Sequence, residues 1–596
     1  MSTERRPAIG LAGLLALAIP FVFIFFASVG PLVDQAAGSF LNWYGVHPES
    51  FAGLRYYTEV FAAPTTSAVI ARTAIYVAIT VPVEVVLGLG GAWLVYRARR
   101  GRALVTAFYV LPLVIPWSST ATLISNILRA TGGLDGTLAR LVGDTTPLAW
   151  DLSPRLGFEV IVFVGIWKGA PWCFLLMLAA FKTAPTQLFE AGRMDGARGL
   201  SYWRYVVVPT VWPMLVFVTI FRLFTEAQMA ESVELLTQGG PFDATQLVGS
   251  YASNLAFMSF RFAESEALAT ATGAVLLLLA LIALAFVYRE KLPLPARLQR
   301  AARPTKRAFE TRANAYDGKA GSARPPAGDW RSVGPLSRTR AILASVGTSE
   351  RRTRRLAALA LVVAMVVELI PIAGALPAGA LGQPFQLPWP EVETGLANSA
   401  IMTVGTVTGT LLLAIPAAYV LAHCRFRGRS ALFGLVLVAI AVPGTLTLFP
   451  QEQGLVWMGL VNTRLGVMLI YISLDLPLAV FFLRAAFAAV PTPFIEAMRV
   501  DGASAARIAT RLIIPMSVST LATVVVLTVL QVWSDSLIMT VMTNSPSLYT
   551  LPVLVATGLG GTAALGASWV SIGPPLLVFL VSQRHFHRGL APGPLL

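Results

Sequence analysis

The chain has 596 residues, 56 % hydrophobic and only 13 % charged, with a mean hydropathy of +0.70; soluble domains carry about a quarter charged residues, so the composition argues against a soluble globule. The net charge of +15 is local, because sixteen Lys and Arg face five acids between Glu290 and Arg355, an excess of +11. Without aromatic and basic interleaving, that stretch reads as solvated and topology-setting rather than as a nucleic-acid surface. The two cysteines, Cys173 and Cys424, are too few for a disulfide framework or a cysteine-rich metal site.

In chain order, Arg5 and Arg6 precede an apolar run from Ile9 to about Val29, read as a retained first helix rather than a secretory signal. Apolar runs of bilayer-spanning length lie near 9–30, 68–96, 103–127, 158–181, 206–228 and 267–288. Six more lie near 356–380, 396–422, 431–449, 467–487, 513–535 and 566–583. Pro112, Pro116 and Pro443 predict kinks or breaks. The pattern predicts an all-α integral membrane protein of about twelve helices, with halves at 1–289 and 356–596. A basic, Pro- and Gly-rich linker at 290–355 joins them. An even span count puts both termini on one side, and the clusters Arg97–Arg102, Arg425–Arg429 and Arg584–Arg588 mark it as cytoplasmic.

An internal repeat is the most informative feature. AAFKTAPTQLFEAGRMDGARGLSYWRYVVVP at 179–209 aligns without a gap, at an offset of 306, with AAFAAVPTPFIEAMRVDGASAARIATRLIIP at 485–515. Twelve of the thirty-one positions are identical, including the polar pairs Glu190 with Glu496 and Asp195 with Asp501. Each copy, at about 182–209 and 488–515, lies between the fourth and fifth run of its half. Thr186 and Thr492 are expected as helix N-caps, with Pro493 at the first helical position. Glu190, Arg193 and Met194, like Glu496, Arg499 and Val500, share a helical face, and Gly196 and Gly502 permit a reversal. A solvated connector would explain one such copy, but not two in register.

Glu-Ala-x-x-x-Asp-Gly-Ala followed by a distant Pro resembles the EAA loop of binding-protein-dependent ABC importer permeases. LLTQGGPFDATQLVGSYASNLAF at 235–257 is similar to the first permease of the carbohydrate-uptake subfamily, the maltose-transporter type. NSPSLYTLPVLVA at 544–556 and QRHFHRGL at 583–590 are similar to its second permease. The resemblance implies a fusion of two normally separate chains with the type I importer permease fold. It also implies a coupling helix in each loop, carried by Glu190, Ala191, Asp195, Gly196, Ala197 and Pro209 and by Glu496, Ala497, Asp501, Gly502, Ala503 and Pro515. Two ATPase subunits, binding ATP and Mg themselves, and an external solute-binding protein, periplasmic or lipoprotein, would be the partners; this chain would bind no cofactor and hydrolyse nothing. The place implied is the inner membrane of a bacterium, and the solute a carbohydrate or related polyol or sugar phosphate. The sequence departs from the family at Gly192, Met498, Gln228 and Ser534.

Polar groups in spans are costly and mark candidates for a solute path. Glu226, Gln228, Trp533 and Asp535 are placed there, with Glu84 and Asp475 read rather as interhelical partners. Trp167, Trp172 and Trp212 are read chiefly as interfacial anchors. The rival reading is a twelve-helix gradient-driven carrier, whose gross topology is the same but which has no use for paired docking loops. No HExxH, GxSxG or phosphate-loop motif supports an enzyme.

Overall fold

Inside a bilayer a chain must close its backbone hydrogen bonds within its own segments, and apolar runs of this length do so as helices. The computed structural model describes residues 11–44, 47–98, 102–128, 150–195, 199–288, 387–424, 426–440 and 444–589. The chain forms two compact units, Met1–Leu277 with Met365–Leu596, and Leu278–Ala364. The second is described only over 278–288, the end of one helix. The predicted linker 290–355 and the predicted span 356–380 lie outside the described residues.

Leu11–Ile24 (α1) passes through a π turn, Phe25–Val29, into Gly30–Gly38 (α2). An antiparallel hairpin follows, Leu41–Tyr44 (β1) with His47–Phe51 (β2), which the all-helical expectation lacked. Then come Arg55–Ala62 (α3), Pro64–Arg97 (α4), Arg102–Val114 (α5) and Trp117–Ile127 (α6). Between α5 and α6 the axis turns by 95° at Ile115 and Pro116, the break Pro116 predicts because it cannot donate to the preceding turn. Pro154–Thr183 (α7), Thr186–Met194 (α8), Gly199–Tyr202 (α9) and, after a π turn at Trp203–Val207, Val208–Ala227 (α10) carry the first repeat. Glu231–Leu236 (α11), Val248–Ser253 (α12) and Phe262–Tyr288 (α13) end this half.

The second half opens with Trp389–His423 (α14), Arg429–Ile440 (α15), Leu448–Met458 (α16) and Arg464–Ala488 (α17). Its repeat is Thr492–Val500 (α18), Ala505–Ile508 (α19), a π turn at Ala509–Ile513, Ile514–Met516 (α20) and Val518–Ser534 (α21). Leu537–Met542 (α22), Leu551–Val553 (α23) and Gly561–Gly589 (α24) complete it. Among the described residues seven helices are long and apolar enough to cross a membrane, and up to nine if each bent pair is one span.

α4 lies along α7, and α14 along α17. In lipid no hydrophobic effect drives helices together, so close approach over small residues does the work. A Cβ at Gly88 of α4 would collide with Cys173 of α7, and one at Gly169 would strike Glu84 and Arg222. The two halves also interlock. Leu17, Phe21 and Ile24 of α1 pack in one cluster with Ala417 and Leu421 of α14 and Val480 of α17, and the Ser28 hydroxyl donates to the Ser473 carbonyl at 3.0 Å. At the other end of the sequence, α24 packs on α5 and α6 of the first half.

Gly88→Val is expected to lower the melting temperature of the detergent-solubilised chain, at a cost of about 1–3 kcal/mol for forced overpacking. Gly90→Val, where a Cβ meets open space, is expected to leave it unchanged.

Candidate functional site

Each repeat folds into a short helix held by one apolar side chain. In α8 the anchor is Phe189, buried among Trp93, Tyr96 and Phe181 with ring centroids 5.6, 5.8 and 6.4 Å away. The Tyr202 hydroxyl donates to the Phe189 carbonyl at 3.0 Å and ties the outgoing chain to the same point. In α18 the equivalent anchor is Ile495, buried with Phe487, Val490 and Ile508. The helices begin one residue earlier than expected. Pro185 and Pro491 occupy the cap positions, so Thr186 and Thr492 are the first helical residues, Pro493 is the second, and no side chain caps either end. Proline suits this place because its fixed φ, −59° and −60° here, sets the turn without a donor.

Opposite each anchor an apolar ridge faces outward. Met194 is 87 % and Val500 88 % exposed, and Leu188 and Phe494 are exposed with them. With Ala191 and Ala497, also exposed, the positions are i, i+3 and i+6, a single stripe in both copies. Glu190 and Glu496 are exposed beside the stripe, and Asp195 and Asp501 end the helices as C-caps. Gly502 turns the chain with φ +71°, a conformation other residues avoid, and the half-buried Ala503 returns its N–H to the Met498 carbonyl at 2.9 Å. Gly196 and Ala197 lie outside the described residues. Gly192 is buried where a Cβ would meet Val206, so an alanine there needs more room.

Pro209 and Pro515 stand just after π turns at matching positions, Trp203–Val207 and Ala509–Ile513. A proline removes an i→i−4 bond, and the wider turn accommodates the missing donor. Beyond it the copies diverge. Trp203–Ala227 runs as one span, whereas Ala505–Met516 and Val518–Ser534 meet at 78° around Ser517.

Of the path residues, Glu226 belongs to a buried ionic group inside the first half. Arg222 donates to Glu84 through Nε at 2.7 Å and Nη2 at 3.2 Å, and through Nη2 also to Glu226. The Tyr76 hydroxyl donates to the second oxygen of Glu226 at 2.5 Å. Gln228 reaches across the halves, where its Oε1 accepts from the Thr445 backbone N–H at 3.1 Å. Glu231, in α11 and outside the spans, does the same, with Oε1 accepting from both N–H and hydroxyl of Ser536 at 2.8 Å. Burial, and next the Asp535 carboxylate, push Glu231 above the usual glutamate value. Asp535 accepts from the Tyr471 hydroxyl at 2.7 Å and from Met539 N–H at 3.3 Å, so it also starts α22. The Trp533 indole donates to the Ser571 carbonyl at 2.9 Å, within the second half. Gln228 and Glu231 therefore bond across the seam between the halves, whereas Asp535 and Trp533 bond within the second half and Glu226 within the first. Sequence reasoning passed over Arg222, Glu231 and Lys168, whose buried ammonium donates to the Ile115 carbonyl and lies 4.5 Å from the Trp117 ring. For Arg222 and Lys168, charge inside an apolar run was the available signal.

The family model for the inner membrane component of binding-protein-dependent transport systems matches residues 84–289 and 411–591. A probable ABC transporter permease protein of Sinorhizobium fredii is 27 % identical over 45 % of this chain and 88 % of its own length. An osmoprotective compounds uptake permease protein of Synechocystis is 36 % identical over 33 % of this chain and 68 % of its own. A trehalose/maltose transport system permease protein of Thermococcus litoralis is 28 % identical over 36 % and 74 %. Such proportions mean relatives about half as long as this chain.

Arg222→Ala leaves two carboxylates without their cation, and loss of one partner from a buried pair costs about 3–5 kcal/mol. A marked fall in melting temperature is expected, and Glu84→Gln with Glu226→Gln in the same chain is expected to recover part of it.

Proposed function

We propose that this chain, which belongs to the family of inner membrane components of binding-protein-dependent transport systems, moves a carbohydrate or related polyol or sugar-phosphate solute inward, driven by two separate ATPase subunits. It is an ABC importer permease of the inner membrane, with two copies of the family unit in one polypeptide. Nothing in the comparisons favours a gradient-driven carrier. The solute, the ATPases that bind ATP and Mg, and delivery by an external binding protein are our reading, as are the half boundaries 1–289 and 356–596 and the linker between them.

The observation that carries the coupling role is the pair of exposed apolar ridges, Leu188, Ala191, Met194 and Phe494, Ala497, Val500, at equivalent places in the two repeats. Exposed apolar stripes on short helices suit a groove in another protein. The buried anchors Phe189 and Ile495 make each helix a rigid extension of its spans, so a push on the ridge is delivered to the bundle rather than absorbed. The anchor side of the first helix also sits beside basic chain. Arg97 lies over the Trp93 ring at 5.7 Å, and that ring packs on Phe189. Basic clusters favour the cytoplasmic face, which supports cytoplasmic docking loops and, with an even span count, cytoplasmic termini.

In the cycle we propose, ATP-driven closure of the ATPases draws the two docking helices together and opens the seam outward; hydrolysis lets it return. Glu190 and Glu496 make docking contacts at the rim of each ridge. With the cognate ATPase in proteoliposomes, Glu190→Lys with Glu496→Lys is expected to cut ATP-driven uptake at least about tenfold, the scale of interface hot spots, without changing membrane insertion. Solute-stimulated ATP hydrolysis at the unmodified rate would refute the assignment. The single reversals are expected to differ, because the outgoing helix is straight after α8 and bent by 78° after α18; equal losses would argue against unequal docking.

A further inference from the structure

One cavity, of about 280 Å³, lies between the halves and is lined by none of the residues placed on the solute path above. One wall is the polar face of α6, Ser118, Thr122 and Ser125 at i, i+4 and i+7, with Asn126 beside them. The facing wall comes from the second half and is small and aliphatic, including Val555, Leu559 and the glycines Gly560 and Gly561. Leu235 closes one side, so the cavity lies beyond the far end of the span that leaves the first docking helix.

Three observations point to an occupant. Among the described residues the lining holds no ionisable group. The Ser118 hydroxyl is 1 % exposed and has no hydrogen-bond partner among the described residues, an expense that native structures ordinarily avoid. The Thr122 hydroxyl donates to the Ser118 carbonyl at 3.0 Å, which leaves its lone pairs to accept. A row of hydroxyls and an amide opposite a smooth aliphatic wall matches a molecule with a rim of hydroxyls and a face of C–H groups. At this volume, near the small end of ligand sites, the molecule is small. An anionic solute would surrender its hydration here with no cation among the described lining residues to replace it.

We infer that this cavity is a binding site for an uncharged polyhydroxylated solute of mono- to disaccharide size. The inference rests on the importer reading and narrows it, because sugar phosphates and acidic saccharides are rejected at this point. Ser118, Thr122 and Asn126 bind hydroxyls, and the Val555–Leu559 wall covers the C–H face.

The test uses the full chain in lipid nanodiscs, with Cys173→Ala and Cys424→Ser, carrying Thr122→Cys or, as a second reporter, Ser125→Cys. The rate of N-ethylmaleimide labelling is measured with glucose, sorbitol, trehalose or glucose 6-phosphate. Expected is a slowing by at least one of the three neutral probes in at least one reporter, with little slowing by glucose 6-phosphate. Adding Ser118→Ala to the responsive reporter is expected to leave the probe-free rate unchanged and raise the half-protecting concentration roughly threefold to tenfold, the worth of one neutral hydrogen bond. No slowing by any neutral probe in either reporter, equal slowing by glucose 6-phosphate, or protection indifferent to Ser118→Ala would each overturn the inference. Labelling needs neither ATP nor a partner, so a failure of ATP-driven uptake would reject the importer reading and leave this result standing.

Discussion

A polar group in hydrocarbon has nowhere to turn but to the protein itself, and that condition organises this molecule from backbone to docking helix. It selects helices such as Pro64–Arg97, whose 34 residues run to roughly 50 Å at 1.5 Å per residue, well beyond the hydrocarbon thickness. It explains why threonines inside spans turn back on their own helix, as Thr73 does to Val69 and Thr80 to Tyr76. It explains why Arg222 is met by two carboxylates, one of which takes a tyrosine hydroxyl as well. Where proline removes a donor, the chain answers with a π turn before Pro209 and Pro515 or a sharp bend at Pro116.

The same condition separates rigid parts from parts able to move. Within each half, helices meet over glycine, as at Gly88 and Gly169, and leave little freedom. Between the halves the described contacts are of two kinds, apolar packing such as α1 on α14 and α17, and polar bonds at the seam, one from the Thr445 N–H to Gln228 and two from Ser536 to Glu231. Such bonds contribute modestly and break without opening a packed core. The two repeat helices sit on the rigid side of this division through Phe189 and Ile495, as the proposed lever requires.

Much of this was legible in the chain itself. The repeat at offset 306 located both short helices, and equivalent φ-setting prolines and π turns show the two copies folding alike. The caps were misplaced by one residue because Thr492 followed by Pro493 reads as a capping threonine with proline at the first helical position, whereas the preceding proline had already fixed the turn. The bend at Ser517 has no counterpart in the first copy, where Val211 stands, and no local pattern announces it. The Glu84–Arg222 pair is 138 residues apart and Glu231–Ser536 is 305 apart; pairings of that range are settled by which helices pack, and apolar periodicity says only that they are buried. The hydroxyl row of α6 was readable as letters, but its aliphatic opposite wall comes from the other half.

The packing of α1 on the second half has a consequence for how the molecule is made. Leu17 and Ala417 share one buried cluster, yet 400 positions of sequence separate them. At about 5–20 residues per second, a ribosome needs roughly 20–80 s to deliver the second after the first. Throughout that interval the earliest helix waits in lipid without its permanent neighbours. Its composition suits the wait, since Leu11–Ile24 carries no charged residue and lipid solvates its bare flank as well as α14 eventually does. In the finished chain, the second half closes over a helix made long before it, and joining both halves in one polypeptide keeps that late partner within reach.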